Sequence, residues 1–451
     1  MQQFENGIEQ FLYTVCEQVC YKKIHSKLSD ELRTHIYDQK SAYMNKGMDE
    51  EQATQKAIEE MGDPIIIGRQ LNQTHKPKTE WSLIGLTAII AIIGGIIMYT
   101  SSKFESMQAV NFGRYLLFSV IGIGFLIGLY FFDYTKLKKL SLPLYLIGFT
   151  VLFLTLLIGN QIQGRRLLLI GNVLIPSDYA TLLFIIAFAG FMEKSRGKGV
   201  LSIIKVIGLA VLSLLPVMAL PNLSQAIILI VGYATLIILA VIKDHFCVIR
   251  KLQILSLLAF MGVAITSITL LLSQYRFERF ITFVTRGKSD PMGEGWQQIQ
   301  ADKWLSVSHP FGKTTETVSG YKIDFGMPGL TSDYVLINVI STLGWIVGIA
   351  IVMIIALLIF RMIRTTKKIK NEYGFYLSLA ACSVLSAQFI ISILINFNLF
   401  PLMSVNLPFV SYGGIGYIVN MMLVGIILSV WRRNNLIEKS PITVIANRET
   451  Y

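Results

Sequence analysis

Residues 223–242 read LSQAIILIVGYATLIILAVI, a stretch without one charged side chain. As a helix, a segment of this length crosses the ~30 Å hydrocarbon core of a membrane. The sequence therefore predicts an all-α, polytopic membrane protein with about ten transmembrane helices. The other apolar blocks lie near residues 82–100, 112–132, 140–158, 178–192, 199–219, 253–273, 334–360, 375–397 and 407–430.

The composition agrees with this fold class. Of 451 residues, 53% are hydrophobic and only 15% are charged, which is too apolar for a soluble or disordered chain. The net charge of +12 is uneven, because residues 1–80 carry −3 and the remainder carries +15. The excess cations stand beside apolar spans, where they interact with anionic lipid. We therefore expect membrane lipids as partners and no nucleic acid.

Basic residues also predict the orientation of the chain. They cluster in alternate loops, and cytoplasmic loops are the ones enriched in Lys and Arg. This pattern predicts that both termini lie in the cytoplasm. The clusters are Lys136 to Lys139, Lys194 to Lys198, Lys243 to Lys251, Arg361 to Lys370, and Arg432-Arg433.

The chain divides by composition into four parts. Residues 1–75 show short amphipathic helices, with Asp49 and Asp63 as helix caps, and predict a small cytoplasmic helical domain. Residues 76–81 form a linker, residues 82–435 form the membrane domain, and residues 436–451 form a cytoplasmic tail. Nothing in the N-terminal domain indicates catalysis, so docking or regulation is expected of it.

One outer loop of the membrane domain is unusually long. It covers residues 274–333 and holds most of the outward-facing carboxylates. Unstructured loops of this length are uncommon unless they have a function. A second outer loop contains the pair Arg165-Arg166. Both features predict that the protein acts at the outer face of the membrane.

Four motifs in these loops carry a family resemblance. Residues 407–414 read LPFVSYGG, residues 274–279 read QYRFER before GWQQIQ at 295–300, residues 163–166 read QGRR before PSD at 176–178, and residues 331–334 read TSDY. In this order and on these loops, they resemble the SEDS family (shape, elongation, division and sporulation), which includes FtsW and RodA. The resemblance covers about residues 82–435 and leaves out the N-terminal domain.

The resemblance implies a fold, an activity and partners. It implies a peptidoglycan glycosyltransferase that polymerises lipid II into a nascent glycan chain at the outer face of the bacterial plasma membrane. The process served is division, elongation or sporulation. A class B penicillin-binding protein is the implied partner. The essential aspartate of the family falls on Asp333.

Asp333 is the candidate catalytic residue. A carboxylate at the outer end of a span can accept a proton from an acceptor hydroxyl, which contributes roughly 10²–10⁴-fold to a rate. The alternative is that Asp333 caps the eighth transmembrane helix, because Asp is a good N-cap.

The remaining candidate residues would bind the substrate or form a structural motif. For the pyrophosphate they are Arg165, Arg166, Arg276, Arg279 and Lys313, which could instead reach lipid headgroups. Gln297 and Gln300 would orient sugar or peptide, or bond helix to helix. The structural motif is Pro408, Ser411, Tyr412, Gly413 and Gly414.

A divalent cation, Mg²⁺ or Mn²⁺, would bridge the pyrophosphate and Asp333. No organic cofactor is expected.

The chain also departs from the family pattern. An acidic position of the family is Asn222 here, a glutamate is the shorter Asp178, a tryptophan is Leu167, and a Gly-Glu-Glu run is replaced by residues 340–342. These changes indicate a divergent member and keep two alternatives open. One is a non-catalytic scaffold for cell-wall assembly. The other is a flippase for lipid-linked precursors, which would need polar residues through several spans, whereas charges within the spans are rare here.

Overall fold

The computed structural model describes residues 2–103, 111–162, 165–170, 173–175, 178–220, 222–270, 280–285, 295–314 and 327–436. The chain forms two compact units. One comprises Met1–Thr79 with the chain from Arg432 onward, and the other is Glu80–Trp431.

The N-terminal unit contains four helices around an apolar core. They are α1 (Gln2–Glu17), α2 (His25–Met44), α3 (Glu50–Met61) and α4 (Pro64–His75). Helix α4 begins as the sequence predicts, because the Asp63 side chain accepts a hydrogen bond from the Ile65 N–H at 2.8 Å and Pro64 occupies the first turn. The core includes Leu12, Val15 and Ile36.

The membrane domain confirms the prediction of a helical, multi-pass membrane protein. Among the described residues, eight helices are long and apolar enough to cross a membrane. Helices α9 (Asp178–Lys194) and α12 (Arg250–Leu270) occupy the other two positions among the ten apolar blocks. The eight are α5 (Trp81–Ser101), α6 (Phe112–Phe131), α8 (Ser141–Ile158), α10 (Val200–Ala219), α11 (Leu223–Ile242), α15 (Trp345–Lys367), α16 (Glu372–Asn396) and α17 (Ile415–Arg432).

Among the described residues, further helices lie between these spans. A short helix, α7 (Thr135–Lys139), precedes α8, and α13 (Trp296–Val307) lies in the long loop predicted at 274–333. Helix α14 (Val335–Leu343) directly precedes α15. Helix α16 is central to the domain, since α9, α11 and α15 all pack against it.

A small antiparallel sheet connects α8 to α9 and was not predicted. Strands β1 (Asn160–Ile162), β2 (Arg165–Ile170) and β3 (Val173–Ile175) pair in the order β1-β2-β3. Asn160 pairs with Leu167, and Leu168 pairs with Ile175. The sequence did contain a signal, because two short apolar runs flank a Gly-Asn pair at 171–172.

The last predicted span starts later than expected. The apolar block near residues 407–430 is helical only from Ile415, where α17 begins. Pro408 has no N–H to donate, and Phe409 and Gly414 have positive φ angles of 66° and 49°. These features keep residues 407–414 out of helical geometry.

The eighth predicted span, 334–360, is also interrupted. Gly344 ends α14 and begins α15, with φ +100° and ψ 165°, a conformation that essentially only glycine adopts. A Cβ on Gly344 would meet the Pro310 carbonyl oxygen at 2.5 Å. Since the 23 residues of α15 alone span about 34 Å, α14 is a separate buried helix. Asp333 therefore precedes this short helix and not the long span itself, which corrects the sequence-based placement.

We expect Gly344→Ala to destabilise the membrane domain strongly. The substitution combines a strained backbone, which costs roughly 1–3 kcal/mol, with a clash against a backbone oxygen. Gly312→Ala is the matched control, because Gly312 has φ +84° but open space around its Cβ position. Thermal unfolding in detergent should show a larger decrease in Tm for Gly344→Ala than for Gly312→Ala. Equal decreases would mean that the contact with Pro310 is unimportant.

The two ends of α16 mark the two ends of the membrane domain. Its 25 residues correspond to about 37 Å. At the Glu372 end, the Glu372 carboxylate pairs with Arg196 and lies 3.2 Å from the buried His245, joining the α9–α10 and α11–α12 connections to α16. Asn396 marks the other end, which lies close to Asp333. We call these the Glu372 end and the Asp333 end.

Candidate functional site

Asp333 lies half-buried in a turn that leads into α14. The N–H groups of Ser332 and Tyr334 donate to the Gly329 carbonyl at 3.0 and 2.9 Å, which closes the turn around Asp333. The N-cap residue of α14 is Tyr334, and its side chain makes no capping hydrogen bond. The alternative interpretation of the sequence, in which Asp333 is the N-cap of this helix, is therefore wrong.

The cap of α14 comes from another helix. Asn396, the last residue of α16, accepts hydrogen bonds on Oδ1 from the N–H groups of Leu336 and Ile337 at 3.0 and 3.2 Å. Its Nδ2 donates to the Asp333 carbonyl at 2.8 Å. The sequence analysis did not identify Asn396. A polar residue at the end of an apolar span was the only available signal.

The LPFVSYGG motif holds the other side of the same turn. The Ser411 hydroxyl donates to the Ser332 carbonyl at 2.7 Å and accepts from the Leu407 N–H at 2.9 Å. The Tyr412 N–H donates to the Thr331 carbonyl at 2.8 Å. Two motifs about 80 residues apart in sequence thus meet through four backbone and hydroxyl groups. Ser411 and Tyr412 fix the backbone on which Asp333 stands.

The rest of the motif packs against α5 and α6. A Cβ on Gly94 of α5 would lie 2.1 Å from the Phe409 carbonyl oxygen. The Tyr115 hydroxyl of α6 donates to the same oxygen at 3.3 Å. Pro408 is buried, and Gly413 and Gly414 lead into α17. The motif therefore packs closely against α5 through Gly94. A Cβ on Gly413 or Gly414 would meet nothing closer than 3.6 Å, so these two glycines do not make the close backbone approach that the sequence suggested for them.

Helix α13 connects the long loop to this region. The Asn398 side chain, just after α16, donates to the Gln298 carbonyl at 2.9 Å and to the Asp302 carboxylate at 2.8 Å. Of the two predicted glutamines, Gln300 is buried and Gln297 is half-buried. Helix α13 also packs against α14.

A polar cavity of about 70 Å³ lies next to the motif. It could hold several water molecules. Ser411 lines it and also binds the Ser332 carbonyl, so the cavity adjoins the Asp333 turn, although Asp333 itself does not line it. No charged side chain is among the described residues that line it. The amide and hydroxyl residues that line it are Thr181, Ser224, Gln225, Gln388, Ser404, Asn406, Ser411, Tyr417 and Asn420.

Two amide oxygens in this lining are buried without a hydrogen-bond partner among the described residues. They are Oε1 of Gln388 and Oδ1 of Asn420, whose side chain is 6% exposed. Buried acceptors of this kind are normally satisfied, and leaving one unpaired costs about 1–3 kcal/mol. The cavity is therefore chemically suited to a donor such as a hydroxyl, an amide N–H or water.

Asn222 shows how the chain accommodates a departure from the family pattern. Its Oδ1 accepts from the Gln225 N–H at 3.3 Å and the Ser224 hydroxyl at 2.9 Å, so it caps α11. Asparagine and aspartate cap helices about equally well. The amide thus preserves the helix start while removing the negative charge.

The predicted cations are not gathered around Asp333 in the described residues. Arg166 in β2 is exposed, and its guanidinium donates to the Leu156 carbonyl at the end of α8 at 2.7 Å. Lys313 is exposed beside the C-terminal end of α14, about 13 Å along the helix from the Asp333 turn. Only the backbone of Arg165 is described, in β2. Arg276 and Arg279 lie outside the described residues.

A resident metal site does not form from the residues that the structure describes. Within those ranges, no three side chains of His, Cys, Asp or Glu come together to hold an ion. Asp333 alone would be a poor cage for Mg²⁺ or Mn²⁺, which require several oxygen ligands. We therefore assign no catalytic step to a metal.

Comparisons with known proteins agree with this architecture. Stage V sporulation protein E of Bacillus subtilis is 27% identical over 375 residues, covering 80% of this chain and 98% of that protein. A probable peptidoglycan glycosyltransferase FtsW of Trichlorobacter lovleyi is 25% identical over 366 residues, covering 78% and 93%.

Solved structures show the same fold. A chain from a study of the structural coordination of polymerization and crosslinking by a peptidoglycan synthase complex matches with a TM-score of 0.60 at 20% identity, covering 79% of this chain and 98% of its own. The rod shape determining protein RodA of Thermus thermophilus matches with a TM-score of 0.53 at 18% identity, covering 79% and 97%. The cell cycle protein family FtsW/RodA/SpoVE matches residues 79–436, and the chain belongs to this family.

Proposed function

We propose that the protein is a peptidoglycan glycosyltransferase that polymerises lipid II into glycan strands. The observation that carries the proposal is the half-buried Asp333, whose turn is fixed by Asn396 on one side and by Ser411 and Tyr412 on the other. A carboxylate on a rigid support is what general-base catalysis needs. The curated name of the Trichlorobacter lovleyi relative supports the same reaction.

We assign the Asp333 end to the outer face of the bacterial plasma membrane. The basic cluster Arg361 to Lys370 lies around the junction of α15 and α16, at the Glu372 end. Positive residues favour the cytoplasmic side, so the Glu372 end and both termini belong in the cytoplasm. This orientation puts Asp333 on the side where lipid-linked sugars are polymerised.

In the proposed reaction, Asp333 accepts the proton of the acceptor sugar hydroxyl. The hydroxyl oxygen forms a bond with the anomeric carbon of the donor sugar as the bond from that carbon to the pyrophosphate oxygen breaks. The polyprenyl pyrophosphate leaves with the electron pair. The N–H groups of Leu336 and Ile337 at the start of α14 are bonded to Asn396.

The uncharged cavity beside Ser411 suits a part of the substrate other than the pyrophosphate. Its amide and hydroxyl groups match sugar hydroxyls, acetamido groups or peptide N–H groups.

The pyrophosphate requires cations, and the residues that stay predictions for that role are Arg165, Arg166, Arg276, Arg279 and Lys313. Mg²⁺ or Mn²⁺ brought with the pyrophosphate also stays a prediction. Synthesis that survives complete chelation would contradict it.

A class B penicillin-binding protein is the partner we propose, on the basis of family membership and the synthase complex among the similar structures. The two other functions make different predictions. A scaffold would bind that partner without making polymer, and a flippase would move lipid II across vesicles.

The test is the full-length protein, purified in detergent and supplied with fluorescently labelled lipid II, with and without a class B penicillin-binding protein whose own reaction is blocked. We expect glycan polymer visible on a gel. Failure to form polymer under both conditions would contradict the proposal. Transport of lipid II into liposomes without polymer would favour the flippase.

A further inference from the structure

The side chain of Asn396 uses its full hydrogen-bonding capacity. A carboxamide has two donors and two acceptor lone pairs. Oδ1 accepts from the N–H groups of Leu336 and Ile337, while Nδ2 donates to the carbonyls of Asp333 and Ser392, both at 2.8 Å. The side chain has no exposed surface. Four bonds at a fully buried position make its geometry rigid.

The two N–H groups it binds are the ones that an N-cap side chain normally satisfies. Counting from the N-cap Tyr334, Leu336 and Ile337 are the second and third residues of α14. A cap accepts from these positions in the helix to which it belongs. Here the acceptor lies about 60 residues later in sequence, at the end of α16. Asn396 therefore ties the start of α14 to the central helix of the domain.

The Asn396 side chain also binds the backbone carbonyl of Asp333, the residue that carries the candidate catalytic carboxylate. We propose that Asn396 is a positioning residue that fixes the Asp333 carboxylate for proton transfer. This inference rests on the proposed function. Its physical basis is that backbone shifts of about 1 Å in a catalytic group can cost about 100-fold in rate. Helix α16 provides the fixed reference, because it is buried along most of its length.

Two substitutions separate the two halves of this role. Asn396→Asp retains an acceptor oxygen at the position of Oδ1 but replaces the NH2 group, so it removes both donors. It therefore breaks the tether to the Asp333 carbonyl and keeps the cap. Asn396→Ala removes the cap and the tether together. The matched control is Asn371→Ala at the opposite end of α16, where Asn371 accepts from the Gly374 N–H at 2.9 Å. Asn371 is also a helix-capping asparagine, but it lies about 37 Å from the Asp333 end.

The experiment measures kcat and KM for lipid II polymerisation by the full-length protein, with thermal unfolding measured in parallel. We expect both Asn396 variants to lower kcat about 10-fold or more while KM changes less than about twofold. Asn371→Ala should lower Tm and keep kcat. In an Asp333→Asn background, Asn396→Ala should cause no further loss, because it acts through Asp333.

Hydrogen exchange at Leu336 and Ile337 gives a readout that is independent of activity. Exchange should rise in Asn396→Ala and stay near the wild-type rate in Asn371→Ala. The inference is overturned if kcat falls no more in the Asn396 variants than in Asn371→Ala, or if exchange at these amides is unchanged. Wild-type protein without polymerase activity would instead overturn the proposed function. A fully active Asp333→Asn variant would leave that function standing and overturn both the assignment of Asp333 as the base and the role inferred for Asn396.

Discussion

Asp333→Asn should reduce lipid II polymerisation by about 10²–10⁴-fold, the range expected for loss of a general base. The amide is the same size as the carboxylate but cannot accept the proton of the acceptor hydroxyl. The bonds that shape the turn involve the backbone carbonyls of Thr331, Ser332 and Asp333, so they survive the substitution. We therefore expect a folded protein with normal substrate binding and a much lower kcat, measured with labelled lipid II.

Asp302→Asn provides the control for this prediction. Asp302 is an exposed carboxylate on α13, where it accepts a hydrogen bond from Asn398. Neutralising it removes one charge from the same region without touching the Asp333 turn. Its polymerase rate should stay within about twofold of wild type, as is usual for an exposed site. An Asp333→Asn protein that polymerises as fast as Asp302→Asn would remove Asp333 from the mechanism.

The sequence predicted the membrane fold because the length of each apolar segment is visible directly in the order of the residues. It was less able to locate breaks in helices. Gly344 interrupts the eighth span, whereas Gly94 and Gly95 lie within an unbroken α5. What distinguishes Gly344 is its packing against the backbone of Pro310, more than 30 residues earlier. Such a contact is not encoded in local periodicity.

Individual residues of the candidate site were predicted from the sequence, but the contacts that bring them together were not. Resemblance singled out Asp333 and the motif with Ser411 and Tyr412, and the structure brings them together. It gave no reason to choose Asn396 or Asn420, because an amide near the end of an apolar helix usually satisfies a neighbouring helix. Which backbone groups an amide binds is determined only by the folded structure. The role of each predicted cation stays a prediction.

Gly94→Ala should impair both stability and activity, since its Cβ would lie 2.1 Å from the Phe409 carbonyl oxygen and 2.9 Å from the Val410 Cα. Neither atom belongs to a flexible side chain, so helix α5 or the motif must move. Overpacking of this kind costs about 1–3 kcal/mol. The Phe409 carbonyl is two residues from Ser411, which holds the Asp333 turn. We expect a decrease in Tm of several degrees and a loss of polymerase activity of about 10-fold or more.

Gly95→Ala is the matched control, one residue along the same helix. Its Cβ would meet nothing within 4 Å, and alanine favours a helix over glycine by about 0.5–1 kcal/mol. This variant should therefore be as stable as wild type or slightly more stable, with unchanged activity. If both variants behaved alike, the contact between α5 and the motif would not support the site. If Gly94→Ala lost stability but kept kcat, the motif would hold the fold together without positioning Asp333.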